Sequence, residues 1–95
     1  MNLIELLSIG VEKNASDVHL TVGIPPTYRI DGALISLVER KLTAEDTLYL
    51  VKQALNETRM NKLDETGEID FSYSIPSIGR FRVNAFKQRG SYAMV

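Results

Sequence analysis

The sequence has no cysteine, no tryptophan and a single histidine, His19, among its 95 residues. Without thiols there is no disulfide scaffold, no thiolate zinc site and no cysteine nucleophile, a composition that suits a cytosolic protein. His19 has no second histidine with which to share a metal. As a general base it has only its sequence neighbours Ser16 and Thr21, which do not amount to an arranged nucleophile. Its expected role is structural, and Asp17 beside it reads as a capping or turn group at a strand entrance. No apolar run reaches the roughly 18 residues that cross a bilayer. The opening Met1-Asn2-Leu3-Ile4-Glu5 sets an acid inside its apolar stretch and lacks a basic start, unlike a signal peptide. Nucleotide-binding loops are missing too, both G-x-x-x-x-G-K-[ST] and G-x-G-x-x-G. The chain is therefore expected to hold no catalytic residue, metal or cofactor of its own.

What is present is a globular composition, 44% apolar and 24% charged. Its length suits one domain over residues 1–95, small enough that packing on another domain or subunit would add to a thin stability margin. The net charge of -1 conceals a segregation of signs. From Gly79 onward there are four cations (Arg80, Arg82, Lys87, Arg89) and no acids, which leaves seven cations and twelve acids before that point. Either surface charges have simply segregated, or the last two strands form an edge that faces anions or acids.

Periodicity predicts the elements. Leu3, Ile4, Leu7 and Val11 form an apolar stripe of a helix over 3–13, which Gly10 weakens. Asp17 to Val22 alternates as a half-buried strand with Val18, Leu20 and Val22 inward. Gly23 to Pro26 ends that strand, and Asp31-Gly32 supplies the turn of a hairpin formed by 27–30 and 33–38. Thr43 and Asp46 resemble a capping box for a helix from Ala44 to about Leu55, whose predicted face is Ala44, Leu48, Val51 and Leu55. Asn56 caps a shorter helix with Met60 and Leu63 that closes near Gly67. Two strands follow, with Ile69, Phe71, Tyr73 and Ile75 inward on one and Phe81, Val83 and Ala85 inward on the next. Pro76 to Gly79 turns between them, and Gln88-Arg89-Gly90 turns into a last strand that stops within an apolar run, as a boundary between domains would. The order α-β-β-β-α-α-β-β-β describes an α+β domain, an antiparallel sheet with helices packed on one face.

The acids Asp64, Glu65, Glu68 and Asp70 lack calcium-loop spacing and read as a solvated helix end and strand start. Arg80 and Arg82 are more informative. Alternate strand residues share a face, so the two guanidiniums stand about 7 Å apart. Arg89 in the next turn is a candidate third, and three arginines without an acid nearby suit a phosphate or carboxylate. Phe86 follows the same alternation and offers a ring on which a base could stack, but the overall acidity argues against nucleic acid as a partner.

Several segments together resemble one family. They are Ala15-Ser16-Asp17-Val18-His19-Leu20-Thr21-Val22-Gly23-Ile24-Pro25-Pro26, Arg29-Ile30-Asp31-Gly32, Asp70-Phe71-Ser72-Tyr73, Gly79 to Phe86 and Gln88-Arg89-Gly90. In this order they resemble the N-terminal domain of PilT-type ATPases, the type IV pilus retraction motors of twitching motility, within the type II/IV secretion ATPase superfamily. The S-D-x-H and R-x-D-G elements (Asp17, His19, Asp31, Gly32) belong to the wider superfamily, and Val-Gly-Ile-Pro-Pro favours the retraction branch. The resemblance implies a PAS-like fold followed by a RecA-like core that binds ATP and Mg, so that the parent protein is an ATPase although this chain is not. It implies that the domain swings relative to its own core and packs on the neighbouring subunit of a homohexamer. That ring would lie in the cytoplasm, at the inner membrane's cytoplasmic face beside the pilus platform, without inserting into the bilayer. It also implies that arginines here, with Arg80, Arg82 and Arg89 as candidates, approach the ATP phosphates and sense them. Two other readings stand beside this one: an oligomerisation module of a pilus-assembly or type II secretion ATPase, and a stand-alone PAS-like small-ligand sensor.

Overall fold

The computed structural model describes residues 2–95; Met1, the first residue of the segment compared with signal peptides, lies outside the described residues. The elements follow the expected order: α1 (Leu3–Glu12), β1 (Asp17–His19), β2 (Thr27–Ile30), β3 (Ala33–Ser36), α2 (Ala44–Ala54), α3 (Glu57–Thr66), β4 (Glu68–Ile75), β5 (Gly79–Gln88) and β6 (Ser91–Met94). The strands divide between two antiparallel sheets, β1-β2-β3 and β4-β5-β6. Among the described residues a single bridge joins the sheets, in which Leu20 and Met94 exchange main-chain hydrogen bonds of 2.9 and 3.0 Å. The bridge explains why the first strand is shorter than its alternation suggests. After His19 the chain leaves β2 and turns Leu20 to Met94, so Val22 ends 43% exposed instead of inward.

Capping chemistry sets the helix starts. Asn2 accepts the Glu5 N–H at 2.8 Å to open α1. In α2, Thr43 Oγ1 accepts the Asp46 N–H at 3.2 Å, and the Asp46 carboxylate accepts the Thr43 N–H at 2.9 Å, a closed capping box. Asn56 accepts the Arg59 N–H at 2.8 Å, and Gly67 at φ 85° ends α3 in the left-handed region.

The buried faces of α1 and α2 are rotated from those the periodicity suggested. α1 buries Leu3, Leu6, Leu7 and Gly10, whereas Ile4 and Val11 are 47% and 48% exposed. Gly10 decides the rotation. A Cβ built there would lie 3.2 Å from Val18 Cγ2 and 3.3 Å from the Tyr28 ring. Its bare backbone lets the fully buried Tyr28 lie against the helix and donate its hydroxyl to the Leu6 carbonyl at 2.8 Å. The residue that weakens α1 as an isolated helix is thus the point at which α1 meets the first sheet. α2 buries Thr47, Leu50, Val51 and Ala54, while Ala44 is exposed and Leu48 half-buried. Thr47 tolerates burial because its hydroxyl donates to the Ala44 carbonyl at 3.2 Å.

The second sheet keeps its predicted alternation, with Ile69, Ile75, Val83 and Ala85 buried in one cluster with Leu3, Leu6, Leu50, Val51 and Leu63 from the helices. α2 packs on β6, and α3 on β4 and β5. Asp31 at φ 51° and Gly32 at φ 81° form the turn of the β2–β3 hairpin, and Arg89 at φ 53° with Gly90 at φ 79° repeats it between β5 and β6.

Candidate anion-facing edge on β5

β5 places its charges as strand alternation requires: Val83 and Ala85 are buried, while Arg80 and Arg82 are exposed on the opposite face. The structure brings these two arginines together and sets Arg89 apart. β5 runs unbroken from Gly79 to Gln88, so Arg89, in the following turn, lies nine residues from Arg80, about 30 Å along the strand. The expected convergence of three arginines is therefore a pair at one end and a single residue at the other.

The expectation that no acid lies near the arginines is also corrected, because β4 brings its carboxylates alongside. Arg82 stands directly opposite Ser72, yet its Nε lies 3.7 Å from Asp70 Oδ1. Asn84 stands opposite Asp70, yet its amide donates to Glu68 Oε1 at 2.9 Å. Each side chain leans diagonally to the residue two positions before its partner, the neighbour relation that a twisted antiparallel pair makes available. Arg80 faces Ser74, and its diagonal neighbour is Ser72, so it meets hydroxyls where Arg82 meets a carboxylate. Among the described residues Arg82 has an ion-pair partner and Arg80 has none.

A cleft of about 540 Å³ runs beside these residues. Leu7, Val18 and Phe81 line it together with Arg80, Arg82 and Asp17. Residues from both faces of β5 contribute to its lining.

The residues of the two short motifs meet at the first sheet. Asp17 pairs with Arg29 in the β1–β2 register, and Arg29 Nε lies 3.2 Å from Asp17 Oδ2. The same guanidinium donates to the Gly32 carbonyl at 3.2 Å, and Ser16 Oγ donates to Asp17 at 3.2 Å. Arg29, not singled out from the sequence, thus ties the strand entrance to the hairpin turn. Its signal was its place in R-x-D-G, but only the β1–β2 register connects it to Asp17. His19 pairs with Thr27 and is half-buried, and its Nε2 is buried without a hydrogen-bond partner among the described residues. Asp64 accepts the Tyr92 hydroxyl and lies 3.7 Å from Lys87 Nζ, so this acid of the α3 end is partnered by the second sheet. Phe86 is half-buried, facing Ala93 across the β5–β6 pair.

No protein-family model matches the chain. The chain is 37% identical over 95 residues to the type IV pilus retraction ATPase PilT of Pseudomonas aeruginosa, matching 99% of this chain and 28% of that protein. The type IV pilus ATPase PilU of the same organism is also 37% identical over 95 residues, matching 100% of this chain and 25% of PilU. The crystal structure of the pilus retraction motor PilT with bound ADP superposes with a TM-score of 0.92 at 38% identity, covering 99% of this chain and 28% of the other. The chain thus spans about a quarter of the length of the curated relatives it matches. Its sequence and fold place it with the N-terminal region of ATPases of the type II/IV secretion superfamily. Within that class it belongs to the PilT-type family, and it is similar to PilT and to PilU at the same identity.

Proposed function

We propose that this domain is the N-terminal module of a hexameric type IV pilus motor ATPase, and that Arg80 and Arg82 contact the phosphates of ATP held by a RecA-like core. The observation that carries the reading is Arg80, exposed beside Arg82 on the outer face of β5 with no ion-pair partner among the described residues. A guanidinium left without a carboxylate is available for bidentate charged hydrogen bonds to a phosphate. The similarity to a motor whose structure holds ADP supports the choice of nucleotide. In this reading ATP and Mg belong to the core. Loss of the γ-phosphate releases the arginines and lets the domain rotate against the core and its neighbouring subunit. The ring would work in the cytoplasm against the pilus platform of the inner membrane, drawing the pilus back in twitching motility. Arg89, at the other end of β5, would serve subunit docking.

The test uses the chain extended through its core. Arg80→Ala/Arg82→Ala is expected to cut ATP turnover at least tenfold with rings intact by light scattering, whereas Arg89→Ala should leave turnover near normal. Unchanged turnover in the double variant would reduce the domain to a packing module, and loss of rings would assign the arginines to docking.

A further inference from the structure

The diagonal ladder between β4 and β5 makes the two arginines unequal. Going down β5, Asn84 leans to Glu68 and Arg82 to Asp70, while Arg80 has Ser72 and Ser74 within its reach. We infer that Asp70 is a positioning residue that tethers Arg82 while no anion is bound, leaving Arg80 to make the first contact. Arg82 is then transferred from carboxylate to phosphate in a second step. This inference rests on the anion-contacting reading above and adds an order to it.

The geometry suits a tether that releases. At 3.7 Å, with side chains 86% and 54% exposed, the Arg82–Asp70 pair is a long, solvated contact of the kind that contributes little to stability. A polyphosphate carries several charges and accepts bidentate bonds from the guanidinium plane, so it outcompetes one monodentate carboxylate. The pair leans Arg82 toward the Asn84 end of β5, away from Arg80, so it holds the second guanidinium back from the first. Ser72, directly opposite Arg82, is neutral, so the guanidinium moves from Asp70 toward Arg80 without crossing another charge.

The experiment is a titration of the 95-residue chain with inorganic triphosphate, followed through the arginine Nε–Hε resonances at low salt. In the unmodified chain both resonances should follow one binding curve, with the Arg82 shift at saturation smaller than in Asp70→Asn because Asp70 still holds Arg82 in part of the bound population. Asp70→Asn should free Arg82 before ligand is added and tighten binding about two- to fivefold, the range an exposed pair spans. In an Arg82→Ala background that gain should vanish, since a tether acts only through the residue it holds. If Asp70→Asn has no effect, or an equal one without Arg82, the carboxylate acts through its general field and the tether is overturned while the anion reading stands. If triphosphate moves neither arginine, both readings fall together. Thermal unfolding of each variant guards against misfolding, and Asp70→Ser offers a second neutral replacement of β-strand character.

Discussion

At the scale of single residues, Gly10 and Tyr28 connect the first sheet to the helical layer. The Tyr28 hydroxyl is satisfied by a carbonyl of α1, so Tyr28→Phe leaves the ring in place and removes one buried hydrogen bond. We expect it to lose about 1 kcal/mol of unfolding free energy, read by urea titration. Gly10→Val forces a branched side chain where a bare Cβ is already at 3.2 Å from Val18, and should cost about 1–3 kcal/mol. The same phenol shapes the alkaline limb. Burial pushes the Tyr28 pKa up, and for Tyr92 the hydrogen bond to Asp64 does so first, followed by burial and the carboxylate charge. Both tyrosines thus favour the protonated form when folded. Their contribution is complete below about pH 10, the unfolded value, and is lost as pH rises through the raised folded values. Urea unfolding at about pH 8 and about pH 11 should show this fall, and Tyr92→Phe should make it shallower. The sequence held no sign of this pairing, because Tyr28 and Gly10 are joined only by tertiary contact.

At the scale of elements, the caps of α2 and α3 were legible and the helix faces only in part. Thr43, Asp46, Asn56 and Gly67 act through bonds within four residues, so their chemistry can be read along the chain, whereas the Asn2 cap of α1 was not read from the sequence. The faces failed where they did for a physical reason. α1 carries Leu3, Ile4, Leu6, Leu7, Ile9 and Val11, so more than one stripe satisfies helical spacing, and what chose between them was a ring from β2. The β5 site divided in the same way. Alternation placed Arg80 and Arg82 correctly, but Asp70 enters only through the β4–β5 register, which a reader must first fix from the Pro76–Gly79 turn. The capping box gives the test at this scale. Thr43→Ala should cost α2 about 1 kcal/mol. The Asp46 carboxylate is held below its ordinary pKa, chiefly by the Thr43 N–H and also by its hydroxyl and Arg40, with partial burial opposing. Its contribution is therefore present above about pH 4 and lost as pH falls through the lowered folded value. Asp46→Asn should flatten the acid limb of stability measured by circular dichroism between about pH 5 and about pH 2.

At the scale of the whole molecule, two three-stranded sheets share one core and the main-chain bridge Leu20–Met94. Leu20 and Met94 are each 3% exposed, so the bridge lies within the core and not at its rim. β3 is the opposite case. Each of its residues is exposed, and the hairpin register leaves the N–H groups of Leu34 and Ser36 pointing away from β2. If the core binds the sheets into one cooperative unit, opening either sheet must expose the bridge, and its amides exchange only through global unfolding. Native-state hydrogen exchange should then show Leu20 and Met94 as slow as Val83 at the centre of β5, with Leu34 and Ser36 almost unprotected. Leu20→Ala should cost about 2–5 kcal/mol, a large part of a small domain's margin, and should lower Val83 protection along with that of β1. Bridge amides that exchange far faster than Val83 would mean that the sheets open separately. The contact between them would then act as a hinge within the domain, and motion at β5 would not be transmitted rigidly to β1 and its hairpin.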